Sequence, residues 1–233
     1  MHVASNDSHL VGIGLYTVAE ASRLLDVRPS TLTRWLHGYK VGATHYPALW
    51  TPQIDLGDDK LYLGFRDLME ARVAGAFMTW GLSRQSVRAA IVRARELIGD
   101  DHPLSTNRFK TDGKTIFMEV AAQEEDVRLI DLVRGQWTFR EIVAQTLKHV
   151  DFGPDSAPIR WWPRGKAARI VIDPTRSFGQ PIDADTSVPA AALARAAEIE
   201  GSVEAAARAW AVPVAAVRRA VEFESELIQR KAA

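Results

Sequence analysis

From residue 16 onward, apolar positions recur every three or four residues, the spacing of amphipathic helices, and breaks in that period divide the chain. Val18, Ala21, Leu24 and Leu25 share one helical face, and Thr17 and Glu20 have the spacing of a capping box, so a helix is predicted to start near Val18. Asp26 and Val27 make a turn, and Pro29 suits the first position of a second helix that carries Leu32, Trp35 and Leu36 inward. Residues 16–39 therefore read as two short helices joined tightly, the unit that lays a helix in a DNA groove. The outer side of the second helix shows Ser30, Thr31, Thr33, Arg34 and His37, hydroxyls and basic groups able to reach phosphates and base edges. Arg28 and Lys40 flank them as expected phosphate contacts. Residues 41–54 mix Gly, Pro and aromatics and are read as a loop or β-wing packed on the helices.

Further along, Leu68, Met69, Val73, Ala76 and Phe77 form a helical stripe ending at Gly81, and Ser83 can cap another helix running to about Ile98. The arginines on that helix, Arg84, Arg88, Arg93 and Arg95, are read as a solvated face. The period then changes. Residues 107–120, with Asp112-Gly113 as a type I′ turn signal, predict a β-hairpin, and residues 128–133 another strand. Residues 138–149 return to a helix with Phe139, Ile142, Val143 and Leu147 inward. The segment 151–165, rich in Pro, Gly and Trp, is read as the main boundary. Beyond it, residues 169–173 form a short strand, residues 189–200 a helix, and residues 203–224 repeat the helix-turn-helix layout, suited to structural packing or a dimer interface.

The fold class expected is mainly α with small β elements (α+β). Its parts are a flexible arm (1–14), a winged helix-turn-helix (15–56), a helical and hairpin middle (57–153), a linker rich in Trp and Pro (154–168), a C-terminal helical domain (169–228) carrying the second helix-turn-helix-like unit, and a frayed tail (229–233).

Composition adds exclusions. The 233 residues contain no cysteine, which removes disulfides, cysteine-bound zinc and thiol catalysis, and the 6 histidines are not at ligand spacing. No apolar run approaches the roughly 20 residues of a membrane span, and no basic start precedes a long apolar core, so a cytoplasmic protein is expected. The 29 basic and 29 acidic residues cancel, which argues against a surface that binds nucleic acid everywhere. The distribution is uneven. Basic residues dominate residues 23–40 and again Arg160, Arg164, Lys166, Arg169 and Arg176, whereas acidic residues gather at 123–126 and in the last helix. Trp161 and Trp162 beside Arg160 and Arg164 suit stacking on bases, a partner's pocket, or a tryptophan that caps the core. No catalytic constellation, phosphate loop, metal set or cofactor site is found, so a non-enzymatic protein is expected.

Residues 16–36, with Pro29-Ser30-Thr31-Leu32 followed by Arg34-Trp35, resemble the opening motif of the MerR and excisionase family of winged helix-turn-helix proteins. Ser22 and Asp26 stand where those families usually carry alanine and a turn glycine. Residues 170–224, with VIDPTRSFGQP, SVPAAAL and EGSVEAAARAWAVPVAAVRRAVEFE, resemble a small domain of toxin-antitoxin antitoxins, although 182–186 replace the usual Gly-Thr-Arg loop. Together they resemble a VapB-type antitoxin of a type II pair. That resemblance implies a partner toxin with a PIN ribonuclease domain, repression of the shared operon through operator DNA, and a homodimer or larger hetero-oligomer with the toxin. The catalytic acids and divalent metal would belong to the toxin. Two other readings compete: a MerR-like regulator sensing a small molecule in an aromatic pocket around Trp80, Phe117 and Trp137, and an adaptor that binds only protein.

Overall fold

The structure is a computed structural model that describes residues 12–123, 127–134 and 136–232. A two-residue strand β1 (Tyr16–Thr17) leads into α1 (Val18–Leu25), and α2 (Pro29–His37) follows after a three-residue turn. The capping box forms as predicted: the Thr17 hydroxyl accepts from the Glu20 amide at 3.2 Å, and the Glu20 carboxylate accepts from the Thr17 amide at 2.8 Å. The turn needs no glycine, because Asp26 adopts the left-handed conformation at φ 56°, ψ 42°, which aspartate tolerates better than most side chains. A hairpin of β2 (Tyr39–Val41) and β3 (Thr44–Tyr46) comes directly after α2, and β4 (Tyr62–Leu63) returns to pair antiparallel with β1.

Two long helices, α3 (Phe65–Thr79) and α4 (Arg84–Ile98), form the predicted helical hairpin around Trp80 and Gly81. The middle of the chain departs from expectation. Residues predicted as a β-hairpin form α5 (Phe109–Gln123), and residues predicted as a strand fall in α6 (Val127–Arg134). The Asp112-Gly113 pair lies inside α5, where a Cβ on Gly113 would come within 3.0 Å of the Phe109 ring. Glycine is there for close aromatic packing rather than for a turn. Phe109, Ile116, Phe117 and Val120 are all buried at helical spacing, and Phe77, Phe109 and Phe117 meet Phe139 of α7 (Gln136–Thr146) with ring centroids 5.3–6.1 Å apart. Burial of this cluster outweighs the local turn signal, since large aromatics contribute several times the energy of a turn preference, roughly 3–5 kcal/mol each when truncated.

A four-stranded antiparallel sheet follows, in the order β5 (Val150–Phe152), β6 (Pro158–Trp161), β7 (Ile170–Ile172) and β8 (Pro181–Asp183). Residues 154–168, read as a linker, thus supply the strand β6 that joins β5 to β7. The chain ends in α8 (Ala190–Ile199), α9 (Val203–Ala209) and α10 (Val214–Ala232), with Ser202 capping α9 and Ala211 in the left-handed region before α10. The fold is mainly α with small β elements, as expected. One hydrophobic core runs from Tyr16 to Leu227. The ends of the chain meet where the Tyr16 hydroxyl donates to the Gly179 carbonyl at 2.8 Å and Arg23 pairs with Glu224 at 2.8 Å.

Two carboxylates one turn apart on α3 are buried and organise their surroundings. Asp67 accepts from the Trp50 indole (2.8 Å) and the amides of Gln53 (2.9 Å) and Gly64 (2.8 Å), and lies 2.7 Å from His102 Nε2. Glu70 accepts from the amides of Leu104 (3.1 Å) and Ser105 (2.9 Å). Burial pushes the Glu70 carboxyl up to about 7, with His102 and the two amides acting the other way. Between an ordinary glutamate's range and 7, the folded protein therefore holds a proton that the unfolded chain has released, so this group makes stability fall as pH rises. Urea denaturation at stepped pH should show wild type losing stability from about pH 5 to 7 and Glu70→Gln with a flatter profile in that window. An unchanged slope in the variant would assign the pH dependence to another group.

Candidate nucleic-acid interface

Helix α2 is seated by Leu32, Trp35 and Leu36, all buried, and this fixes which side faces outward. Arg28, Ser30, Thr33, Arg34 and His37 are exposed, and Thr31 is half-buried. The Thr33 hydroxyl donates back to the Pro29 carbonyl at 3.0 Å, so its lone pairs and methyl face outward while its proton is engaged. Gly38 then takes φ 74°, and a Cβ there would strike the Tyr46 carbonyl. That conformation starts β2 immediately, and Lys40 and the hairpin tip (Val41 to Thr44) are exposed. From Arg28 to Tyr46 there is no carboxylate in the sequence. All seven predicted DNA contacts thus lie on α2, its N-cap or the strand that follows it.

The hairpin is held by residues first read as solvated. Arg84, from the start of α4, donates to the carbonyls of Arg34 (2.8 Å) and Pro47 (2.6 Å) and lies 4.8 Å from the Tyr39 ring centroid. Arg88, one turn on, donates to the Ala48 carbonyl at 3.0 Å. Tyr39 stacks on Tyr46 across the hairpin at 4.8 Å, and Arg34 lies 5.5 Å from Tyr39 on the same ring system. Partial burial lowers the pKa of Arg84, with Tyr39 opposing that shift. The sequence signal for this brace is two arginines at i and i+4 near a helix start. It is indistinguishable by pattern from a solvated stripe, and Arg93 does form such surface pairs, with Glu96 and Glu119.

The predicted partner residues are placed differently. Trp161 and Trp162 are both buried, and the Trp162 indole donates to Asp151 at 2.8 Å. Packing inside the fold is therefore what the paired indoles do here. Their arginine neighbours are exposed but paired within the chain, Arg160 with Asp173 at 3.1 Å and Arg164 with Glu226 at 3.0 Å. The aromatic pocket considered around Trp80, Phe117 and Trp137 does not assemble: Trp80 is exposed, Phe117 is fully buried, and the Trp137 side chain lies outside the described residues. Among the described residues no group of three or more His, Cys, Asp or Glu could hold a metal ion, and no helix is long and apolar enough to cross a membrane.

Comparison with known proteins adds two relatives. A protein of Mycobacterium tuberculosis (strain ATCC 25618 / H37Rv) named "Putative antitoxin VapB45" is 30% identical over 214 residues, covering 86% of this chain and 87% of that protein. The crystal structure of Rv2018 from Mycobacterium tuberculosis superposes with a TM-score of 0.71 at 27% identity, covering 91% of this chain and 99% of that one. No family model matches the sequence.

The brace makes a prediction about the hairpin. Arg84→Ala should speed amide exchange in residues 39–46 and lower stability by roughly 1.5–3 kcal/mol, the range for charge-assisted hydrogen bonds. Hydrogen exchange followed by mass spectrometry would read it. Unaltered protection of those residues would mean that the hairpin stands without Arg84.

Proposed function

This chain belongs to the VapB45 family of antitoxins, and from that premise we propose that it binds and neutralises a ribonuclease toxin with a PIN domain, and represses the operon encoding both by binding operator DNA. The observation that carries the DNA half of this reading is the exposed face of α2 and the exposed hairpin after it, in a stretch, 28–46, without a single carboxylate. Phosphate contacts from Arg28 and Lys40 would position the protein, and Ser30, Thr31, Thr33, Arg34 and His37 would meet base edges or the sugar-phosphate backbone. A neutral chain suits this division, since the cationic charge is concentrated where a small footprint needs it. A dimer would set two α2 helices into successive major grooves, giving a palindromic operator with half-sites about one helical turn apart.

The toxin half rests on family membership. Its chemistry belongs to the partner, so this chain acts by occupying the toxin rather than by catalysis, in the cytoplasm where toxin and operon both are.

Electrophoretic shifts on the upstream region of the chain's own operon provide the test. Arg34→Ala should weaken operator binding about 10-fold or more, consistent with roughly 1–3 kcal/mol for a base contact. Arg28→Ala or Lys40→Ala should weaken all sequences alike and flatten the salt dependence by about one counterion. Co-purification of the full chain with the product of the adjacent reading frame tests the toxin half. Operator affinity indifferent to Arg34, or an adjacent product that is not a PIN protein and does not bind, would sink the corresponding half.

A further inference from the structure

Helix α9 and the turn into α10 border a shallow groove of about 470 Å³, lined by Glu204, Arg208 and five small apolar residues between Ala207 and Val214. The frame around it is fixed: Ser202 caps α9, Ala211 turns the chain at φ 51°, and Ala206, Ala207, Ala216 and Val217 are buried. Large apolar side chains are also exposed at each turn bordering α9, where Ile199 ends α8, Trp210 follows α9 and Val214 begins α10. Exposed apolar residues gathered in one stretch, with charged groups among them, mark a surface that another protein covers.

Charge narrows the occupant. Glu204 and Arg208 stand four residues apart in the order that favours pairing within a helix, yet both are exposed and, among the described residues, neither has an ion-pair or hydrogen-bond partner for its side chain. Nucleic acid is a poor match, because Glu204 in the lining and the exposed Glu198 and Glu200 just before α9 would face phosphates, whereas residues 28–46 hold no carboxylate. A second copy of this chain matches in both signs. When two α9 helices lie antiparallel about a two-fold axis passing between Glu204 and Arg208, the glutamate of each copy faces the arginine of the other, and the apolar residues close on their own counterparts. Two ion pairs then flank an apolar centre, which is the anatomy of a protein interface.

We propose that the groove at α9 and the α9–α10 turn is the self-association surface of this chain, an isologous dimer contact in which Glu204 and Arg208 pair reciprocally across the two-fold axis. The contact stands on the groove itself; its use, carrying two α2 helices to one operator, rests on the function proposed above. Exposed ion pairs add little affinity, so the apolar centre supplies the binding. The charges set the orientation, since a parallel arrangement would bring like charges together.

Sedimentation velocity of the full chain, without DNA or toxin, tests the contact. Wild type should sediment as a dimer at micromolar concentration. Glu204→Arg and Arg208→Glu each set like charges against one another twice across the axis, so each alone should weaken dimerisation about 10-fold or more while keeping the wild-type circular dichroism spectrum. An equimolar mixture of the two variants should recover dimers, because one then offers arginine at both positions and the other glutamate at both. A wild type that stays monomeric at high micromolar concentration overturns the proposal, as does a dimer that both reversals leave intact, or a loss that the mixture does not rescue. Reversals that abolish toxin binding but leave the dimer intact assign the groove to the toxin and overturn self-association there. Rescue by the mixture in a chain that binds no operator leaves the dimer contact standing and refutes the operator reading instead.

Discussion

Asp67 is the fixed point from which the N-terminal half is built. One buried carboxylate takes donors from the loop after the hairpin (Trp50, Gln53), from the strand end before α3 (Gly64) and from the turn after α4 (His102). Each of these segments lacks regular partners for its own polar groups, and burying them would be unfavourable without an acceptor. Because all four reach the same two oxygens, a segment that moves away leaves its own donor without that acceptor. The position of α2 follows from this network. Leu49 donates its amide to the Trp35 carbonyl at 2.7 Å, so the loop that Asp67 holds in turn holds α2.

A second buried aspartate does the same for the C-terminal half. Asp183, at the end of β8, accepts both Arg219 Nε and Nη2 of α10, at 2.9 and 2.6 Å, and also the Thr186 amide and hydroxyl, each at 3.0 Å. This is where residues 182–186 depart from the loop usual in the resembling antitoxins, and the departure has a structural use: the loop carries its own acid to pin α10. The two halves are then joined by Tyr16. Its hydroxyl is buried against Gly179, burial and the nearby carboxylates Glu20 and Asp173 raise its pKa, and a Cβ at position 179 would collide with it. Glycine is required there both by that contact and by φ 78°.

What could be read from the sequence follows the balance between local and distant forces. The capping box at Thr17, Pro29 at the start of α2 and the stripes of α3 and α4 are local signals that tertiary packing reinforces. They appear in the structure where they were expected. Residues 109–134 failed because Asp112-Gly113 imitates a hairpin turn, while the deciding fact, the packing of Phe109 and Phe117 of α5 against Phe77 of α3 and Phe139 of α7, is a contact between separate helices. Residues 154–168 failed for the converse reason. Pro, Gly and Trp look like a linker by composition, and only pairing to β5 and β7 makes Pro158–Trp161 a strand. The site was legible as residues but not as a surface. The outward face of α2 follows from its period, whereas the hairpin's brace by Arg84 and Arg88 depends on carbonyls 37 to 50 residues away.

The zero net charge conceals a sorting of cations by task. Arg23, Arg66, Arg93, Arg160, Arg164, Arg169 and Arg219 each face a carboxylate, and those pairs tie helices, strands and loops to one another. Arg84 and Arg88 instead satisfy carbonyls, which spends their hydrogen bonds but leaves their charge behind the hairpin. Among the described residues, Arg28, Arg34 and Lys40 face neither kind of acceptor with their side chains. Exposed, such groups cost little, because water solvates them. Arg72 differs from these three in being half-buried, with its guanidinium carbon 4.6 Å from the Trp161 ring centroid, so the indole face stands where water would otherwise be. The partner that each cation meets, rather than the number of charges, therefore separates those that tie the fold together from those left to water.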